Sequence, residues 1–355
     1  MIKRIVRAAV RETLRQDRIR RLVESELPRR PAKPARPATG PSGTFVDRSG
    51  IGHVLDPALR DRLKPAWQTM CDPVAMATPP TDEALRGRAA KARTVVAEAE
   101  AILRATAGAI IAGRILEIGC YDGAASFELG RRPNTFVTGS DLAAYYVIQA
   151  PGVPTDVAVE RQQLVLAALR DRAREIAGVE PGRVGFVEDD ITTTALEPRT
   201  FDAIVSFEVL EHVADPAAAF AGMARLLVPG GVAYHDYNPF FAVNGGHSLG
   251  TLDIPWGHAR LAPDDVDRYL RELRPIEHDQ ALRFMTDGLN RMALADVRTA
   301  VGSAGLELIA LVPWFDRTRV AEAVEALPEV KDLYPAVTLE DLLATFVSVV
   351  ARRPS

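Results

Sequence analysis

The chain has 355 residues, of which 47% are hydrophobic and 25% are charged. These values are those of an ordinary globular protein, and they exclude collagen-like and fully disordered chains. No run of 18 apolar residues occurs, so no transmembrane helix is predicted. The two cysteines, Cys71 and Cys120, cannot build a disulfide framework, which is typical of a reducing compartment. The N-terminus also lacks the apolar core of a secretory signal, so we predict a cytoplasmic protein.

Charge is unevenly distributed along the chain. Residues 1–43 contain 12 Lys and Arg against 4 Asp and Glu, whereas the whole chain contains 43 against 47. The remainder is therefore clearly acidic, which argues against its binding a nucleic-acid backbone. We expect no nucleic-acid partner.

Residues 1–27 are predicted to form a basic amphipathic helix. Apolar residues such as Ile5, Ala9 and Val10 recur at helical spacing, and arginines fill the other faces. Such a helix docks on a partner protein, lies on the anionic inner surface of a membrane, or packs on its own domain or on the mate in a homodimer. These alternatives remain open.

The next two segments connect this helix to the rest of the chain. Residues 28–43 are predicted to be a linker, because proline recurs there about every three residues, as in polyproline II. Residues 44–108 are predicted to be an extension that is irregular and proline-broken over 44–80, with a short helical piece near 57–68. Its second part, 81–107, is predicted to be helical with Thr81 as the N-cap.

Strands and helices alternate through the last predicted domain, residues 109–355. This alternation predicts an α/β fold with a mostly parallel sheet covered on both faces. The predicted strands are 114–118, 135–140, 184–188, 201–207, 231–236, 306–312 and 344–351, and the predicted helices are 123–130, 159–177, 216–227 and 294–304. Residues 239–290 are predicted to be a long insertion on the substrate side, with one helix near 263–271.

The first turn of this sheet carries the strongest chemical signal. The strand 114–118 runs into Glu117-x-Gly119-x-x-x-Gly123, and a helix follows directly. Glycines in such a turn let backbone N–H groups approach a ligand. The Gly-x-Gly-x-x-Gly fingerprint of dinucleotide-binding proteins is absent, and a Gly-x-x-x-Gly turn taken alone is a weak signal.

The following strands carry further motifs in order. The second strand leads to Asp141, an acid placed to hold two ribose hydroxyls, and the third is followed by Asp190 and Ile191, which suit an adenine ring. Asp189 is the alternative to Asp190 at this position. The fourth strand runs into Glu208-VLEHVADP, and the fifth follows a Pro-Gly-Gly turn.

Taken together, these five motifs resemble those of class I S-adenosylmethionine-dependent methyltransferases, and the resemblance spans about residues 115–312. It implies a doubly wound, Rossmann-like sheet of seven strands, the last one antiparallel, here with an N-terminal helical extension. It also implies S-adenosyl-L-methionine as cofactor, with the methionine end at the first turn and Glu208 beside the methyl donor. The cofactor-binding residues implied by position are Glu117, Gly119, Cys120, Gly123, Asp141, Leu142, Asp190, Ile191 and Glu208.

The insertion after the fifth strand is where acceptor specificity is expected, because it combines histidines, an aspartate and aromatic residues. If the acceptor is a hydroxyl, a neutral histidine suits removal of its proton. The candidates are His247 first, then His258, with His235 and Asp253 behind them. His212 is predicted to be structural. Asp236 and Asn238 could join these groups around a metal, but without a fixed ligand spacing no metal site is predicted.

We therefore predict an enzyme that transfers a methyl group to a small-molecule acceptor, most readily a hydroxyl of a sugar, glycolipid or secondary metabolite. The alternatives are an NAD(P)-dependent oxidoreductase on a related sheet, and a non-catalytic, partner-binding module with a methyltransferase-like fold.

Overall fold

A computed structural model describes residues 40–65, 67–68, 79–150 and 154–355. The predicted helix 1–27 and most of the predicted linker 28–43 lie outside these residues. No helix in the described part of the chain is long and apolar enough to cross a membrane.

The described N-terminal segment forms a small hairpin where the sequence analysis expected irregular chain. Strands β1 (Gly43–Val46) and β2 (Gly52–Leu55) pair in antiparallel register, and the Asp47 carboxylate accepts a hydrogen bond from the Ile51 N–H across the turn. Phe45 and Leu55 point inward and join a core formed with the insertion. Helix α1 (Leu59–Leu63) follows.

The main sheet has seven strands in the order β5-β4-β3-β6-β7-β9-β8. The five strands from β5 to β7 are parallel, and β9 is antiparallel to both of its neighbours. The predicted doubly wound sheet with an antiparallel last strand is thus confirmed. The strands are β3 (Arg114–Ile118), β4 (Phe136–Asp141), β5 (Val184–Glu188), β6 (Phe201–Phe207), β7 (Leu227–Tyr237), β8 (Glu307–Phe315) and β9 (Ala344–Arg352).

Helices cover both faces of this sheet and create two separate cores, as the buried hydrophobic strands require. On one face, Ala99 and Leu103 of α2 (Asp82–Ala107) pack against Ile115 and Val205. On the other face, helices α6 and α11 pack against the same strands. The helices along the sheet are α3 (Ala124–Gly130), α4 (Ala143–Gln149), α5 (Asp156–Ala177), α6 (Pro216–Leu226) and α11 (Leu294–Ser303).

Helix α2 begins where the sequence predicts it. The Thr81 hydroxyl accepts a hydrogen bond from the Ala84 N–H at 3.2 Å, so Thr81 is the predicted N-cap. The helix ends at Gly108, whose left-handed φ of 61° closes the last turn.

The insertion is more ordered than predicted, because it contains four helices instead of one. They are α7 (His247–Gly250), α8 (Gly257–Arg260), α9 (Pro263–Leu273) and α10 (His278–Asp287). Short pieces such as α7 and α8 are too brief to show helical periodicity in sequence. They are held by an apolar cluster that includes Phe241, Trp256 and Phe284 and extends to α12 (Val320–Leu333) and α13 (Leu339–Leu343).

Candidate active site

The turn after β3 is shaped by two glycines that no larger residue can replace without strain. Gly119 and Gly123 have φ angles of 69° and 77°, in the left-handed region that favours glycine. A Cβ on Gly119 would lie 2.4 Å from a methyl of Val209, and one on Gly123 would lie 2.6 Å from the ring of Phe186. These contacts leave no room for a larger side chain in this tight turn, which we call the glycine cradle.

Glu117 lies beneath this cradle and is almost fully buried. The Ser126 hydroxyl donates to its carboxylate, and burial raises the pKa of Glu117 to about 8. Cys120, in the turn itself, is also buried, and its Sγ lies 3.5 Å from Arg170 Nη2. Both predicted residues are thus part of the turn.

Asp141 ends β4 and accepts several hydrogen bonds at once. Its Oδ2 accepts from the Tyr121 N–H at 2.6 Å and from the Tyr146 hydroxyl at 2.9 Å, and its Oδ1 accepts from the Leu142 N–H at 2.8 Å. Arg170 adds an ion pair at 3.3 Å. These contacts fix the carboxylate beside the glycine turn, where the predicted ribose contact needs it.

The two acidic residues after β5 differ in what their carboxylates do. Asp190 Oδ1 accepts from both the N–H and the hydroxyl of Thr192, at 2.9 and 2.8 Å, which closes a local turn. Asp189 Oδ2 is buried without a hydrogen-bond partner in the described structure. Ile191 lies in the core under the sheet. Asp189 Oδ1 in turn accepts from the Ala195 N–H at 3.2 Å, so each acid has one oxygen in a local contact. The adenine contacts of Asp189 or Asp190 and of Ile191 stay predictions.

Glu208 follows β6 in a strained backbone conformation, with a φ of 57°. Its N–H donates to the Asp236 carboxylate at 3.0 Å, and its own carboxylate pairs with Lys91 of α2 at 3.4 Å. Since β4, β3 and β6 are neighbours in the sheet, Asp141, Gly119 and Glu208 lie along one edge. Ligands of parallel α/β sheets bind at this carboxyl edge.

Three of the four predicted catalytic residues are held in structural contacts. His235 is fully buried within β7, with Nδ1 2.8 Å from the Ser206 hydroxyl, and burial lowers its pKa to about 3. Side chains alternate along a strand, so His235 points to the face opposite Asp236. His258 Nε2 bonds to the Phe240 carbonyl at 2.7 Å, inside the core of the insertion.

The carboxylate of Asp253 is likewise engaged in structural contacts. Its carboxylate accepts from the Tyr269 hydroxyl at 2.7 Å and pairs with Arg274 at 2.7 Å, and the residue is 1% exposed. It lines a cavity of about 200 Å³ together with Arg60 and Trp67. The structure does not bring Asp253, His258 or His235 together with His247, because each is engaged with other residues.

The Nε2 of His235 is also buried without a hydrogen-bond partner, and His247 differs from the other three in having the Glu211 carboxyl group beside such a nitrogen. His247 begins α7 with a left-handed φ of 54°, and its Nε2 is buried without a hydrogen-bond partner, 3.7 Å from Glu211 Oε1. The ring lies 4.9 Å from that of His212 and 6.0 Å from that of Phe284, measured between centroids. Burial lowers the pKa of His247 well below the usual value for histidine, so the imidazole is neutral at pH 7.

His247 belongs to a set of buried polar atoms that lack partners among the described residues. Others are Glu211 Oε2, Tyr237 Oη, Asn244 Oδ1 and His235 Nε2. Of these residues, Glu211 lies next to His247: its Oε1 is 3.7 Å from His247 Nε2 and accepts a hydrogen bond from the Asn238 N–H at 2.9 Å, and burial raises the pKa of Glu211 to about 8. Because buried polar groups are normally satisfied, the pair of His247 and Glu211 marks a place where a polar group of a ligand, or water, could bind.

The sequence analysis did not include Glu211 among its candidate residues. The Glu-x-x-Glu-His spacing after β6 could have indicated it as a functional residue. In sequence, however, a functional acid at this place cannot be distinguished from an acid that only stabilises the start of a helix. Ligand atoms of Glu211, His212 and His247 also lie within 4.8 Å of one another, so these three could hold a divalent metal. The sequence analysis placed no metal there.

Comparison with known proteins agrees with this geometry. A family model described as "Methyltransferase domain" matches residues 85–311. The chain belongs to this methyltransferase family. The predicted methyltransferase family and the predicted S-adenosylmethionine cofactor are confirmed.

Individual relatives of this methyltransferase share only part of their length with it. A ubiquinone biosynthesis O-methyltransferase of Alkalilimnicola ehrlichii is 32% identical over 46% of this chain and 61% of the relative. One from Xylella fastidiosa is 35% identical over 60% of this chain and 70% of the relative. The chain thus spans less than two thirds of the first of these relatives.

Solved structures superpose loosely on this methyltransferase. A phosphoethanolamine N-methyltransferase of Haemonchus contortus in complex with S-adenosyl-L-methionine has a TM-score of 0.44 and 15% identity, covering 79% of this chain and 59% of that one. The strand order of the sheet, rather than this superposition, is what establishes the fold here.

Proposed function

We propose that this methyltransferase transfers the methyl group of S-adenosylmethionine to a hydroxyl oxygen of a small-molecule acceptor, such as a sugar, a glycolipid or a secondary metabolite. The observation that carries the proposal is His247, whose buried Nε2 has no partner and faces Glu211 beside the carboxyl edge of the sheet. The names of the two relatives support oxygen as the methylated atom.

The donor side of the site is assigned to the residues of the carboxyl edge. Gly119 and Gly123 form the turn next to the methionine end of S-adenosylmethionine, and Glu117 and Cys120 support this turn. Asp141 binds the ribose next to Leu142. Asp189 or Asp190 receives the adenine with Ile191 near it, and Glu208 lies beside the sulfonium. The positions of these residues at the ends of β3 to β6, and the hydrogen bonds described above, support these roles.

The chain's part in the reaction is alignment and proton removal. S-adenosylmethionine supplies an activated methyl carbon, so the protein needs chiefly to place the acceptor oxygen in line and to exclude water. His247 Nε2, in its neutral form, is placed to take the proton of the acceptor hydroxyl. Tyr145 of α4, whose ring lies 4.8 Å from that of His212, helps to close the site against water.

The first test is calorimetric titration with S-adenosylmethionine, S-adenosylhomocysteine and NADH, on the wild type and on Asp141→Ala. We expect micromolar binding of the two adenosyl compounds, its loss in the variant, and no binding of NADH. Binding of NADH alone would favour the oxidoreductase alternative. Donor binding without transfer to any of a panel of hydroxylated compounds would favour the non-catalytic module.

The second test separates His247 from His258. His247→Gln is expected to lower turnover about 100-fold or more while leaving donor affinity unchanged, since loss of a general base costs about 10²- to 10⁴-fold. His258→Gln removes a more deeply buried imidazole of the insertion and is expected to lower stability but not turnover per folded molecule. Full turnover in His247→Gln would contradict the assignment.

A further inference from the structure

Helix α4 lies at the carboxyl edge of the sheet, where the donor is proposed to bind. The N–H of Ala143, its first residue, donates to Glu188 Oε1 at the end of β5, at 2.8 Å. The hydroxyl of Tyr146, in the middle of the helix, donates to Asp141 Oδ2 at the end of β4, at 2.9 Å. Helix α4 is therefore bonded to the ends of two neighbouring strands.

The C-terminal end of α4 is held by α10 of the insertion. Arg283 Nε donates to the Ile148 carbonyl at 2.9 Å, and Arg283 Nη2 donates to the Ala150 carbonyl at 2.7 Å. Gln280 Nε2 donates to the Gln149 carbonyl between them, at 2.6 Å. The last carbonyls of a helix have no partner within the helix, and a positive charge is favourable beside them. Arg283 supplies this end of α4 with both hydrogen bonds and a charge.

Helix α10 also contacts the proposed acceptor side of the site. The ring of Phe284, next to Arg283 in sequence, lies 6.0 Å from the rings of both His212 and His247, measured between centroids. On α4, the ring of Tyr145 lies 4.8 Å from the same ring of His212. Helices α4 and α10 thus meet around His212, and α10 joins the donor side to the helix that carries His247.

The hydrogen bonds of Asp141 determine what a shift of α4 would change. Asp141 Oδ2 accepts from the Tyr121 N–H and from the Tyr146 hydroxyl. Arg170 also donates to this oxygen, at 3.3 Å. Oδ1, by contrast, accepts from the Leu142 N–H alone among the described residues. The bonds at Oδ2 therefore orient the carboxylate, and Oδ1 keeps a lone pair for a ribose hydroxyl.

We propose that Arg283 is a positioning residue for donor binding, which acts through α4. By holding the end of this helix on α10, Arg283 keeps the Tyr146 hydroxyl on Asp141, and the carboxylate stays oriented for the ribose of S-adenosylmethionine. Arg283 itself bonds to the backbone of α4 and not to Asp141. This inference rests on the proposed function, because it takes Asp141 as the residue that binds the ribose.

The test measures binding of S-adenosylhomocysteine by calorimetry in the full chain, for the wild type, Arg283→Met, Arg283→Lys and Tyr146→Phe. Arg353→Met is the matched control, because Arg353 Nη1 likewise donates to carbonyls at the end of a helix, those of Ala224 and Leu227 at the end of α6. Leu227 begins β7, so this contact lies at the opposite edge of the sheet. The double variant of Arg283→Met with Tyr146→Phe shows whether the two residues act through the same contact.

We expect Arg353→Met to bind as the wild type does, and Arg283→Met to bind about 3- to 10-fold more weakly, the range of one hydrogen bond. Tyr146→Phe should weaken binding to a similar degree, and the double variant should bind no more weakly than the single ones. Arg283→Lys should lie between Arg283→Met and the wild type, since it keeps the charge at the helix end. Hydrogen exchange of residues 143–150 should be faster in Arg283→Met than in Arg353→Met.

Wild-type or tighter binding by Arg283→Met or by Tyr146→Phe overturns the inference but not the proposed function, and so do losses that add up in the double variant. Hydrogen exchange of α4 that is the same in Arg283→Met and Arg353→Met overturns it as well. If Arg283→Met does not fold, Arg283→Lys takes its place in each comparison, with a smaller but measurable loss expected. A wild type that binds S-adenosylhomocysteine no better than Asp141→Ala does overturns the proposed role of Asp141, and the inference with it.

Discussion

At the scale of single residues, three of the six non-glycine residues with positive φ in the described chain lie where the chemistry is proposed. Tyr121 within the glycine turn, Glu208 after β6 and His247 at the start of α7 have φ between 45° and 57°. Such conformations cost free energy in residues other than glycine and persist only where the surroundings impose them. Here, they aim side chains or N–H groups at the carboxyl edge of the sheet.

Gly119 should be irreplaceable for donor binding, for a steric reason. Gly119→Ala adds left-handed strain of about 1–2 kcal/mol and a clash with Val209 at 2.4 Å. Gly178→Ala is the matched control, because Gly178 has a φ of 64° and its Cβ would meet nothing within 4 Å. Both variants should be less stable in urea, but calorimetry should show loss of S-adenosylmethionine binding only for Gly119→Ala. Equal donor affinity in the two variants would contradict the cradle.

Glu117 should make the stability of the free protein depend on pH. Its pKa is about 8 in the folded chain, because of burial, and ordinary in the unfolded chain, so the folded state binds the extra proton between these values. Stability therefore falls as pH rises from about 4.5 to 8, by at most about 1.4 kcal/mol per pH unit for one proton. Glu117→Gln should lose this component and gain stability relative to wild type as pH rises. Parallel urea-stability profiles from pH 5 to 8 would contradict the shifted pKa.

At the scale of elements, the insertion is a folded unit held by its own core and by a buried ion pair. Asp253 and Arg274 pair at 2.7 Å, and Tyr269 donates to the same carboxylate. Helices α7 to α10 acquire their order from these contacts and from Trp256 and Phe284. Their role in the proposed function is to hold His247 in place.

Removing one member of this ion pair should unfold the insertion more readily. Asp253→Ala leaves the Arg274 guanidinium buried and uncompensated, and we expect a loss of about 3–5 kcal/mol in urea unfolding. The double variant Asp253→Leu with Arg274→Met should recover most of that loss, since both charges are gone. Donor affinity should stay unchanged in both. A large loss of turnover in the double variant at normal stability would restore Asp253 as a catalytic candidate.

At the scale of the whole molecule, the site is assembled from three parts of the chain. The sheet supplies the carboxyl edge at which the donor is proposed to bind, and the insertion supplies His247. The N-terminal extension supplies Arg88 and Lys91, which pair with Asp122 and Glu208.

If the N-terminal arm only tethers the enzyme, its removal should not affect catalysis. Deleting residues 1–39 removes the basic segment of an otherwise acidic chain, so binding to anionic vesicles, measured by co-sedimentation, should be lost. Turnover on a freely dissolved acceptor and donor affinity should remain at the wild-type level. Loss of turnover with normal folding would assign the arm to the active site or to a required homodimer.

Local sequence patterns were enough to predict the sheet and the carboxyl edge at which the methyl donor is proposed to bind. Glycine turns, acids at strand ends and the alternation of strands with helices are local patterns, so β3, β5 and β6 were predicted with their observed bounds, and Glu117, Gly119 and Asp141 lie where they were expected. The choice among the candidate residues of the acceptor side, by contrast, depended on tertiary contacts. Whether a histidine is free or bonded depends on residues distant in sequence, such as Phe240 for His258 and Glu211 for His247. The contact of α1 with α7 likewise joins residues nearly 190 positions apart along the chain, since Arg60 donates to the Ser248 carbonyl at 2.9 Å, and no local pattern encodes it.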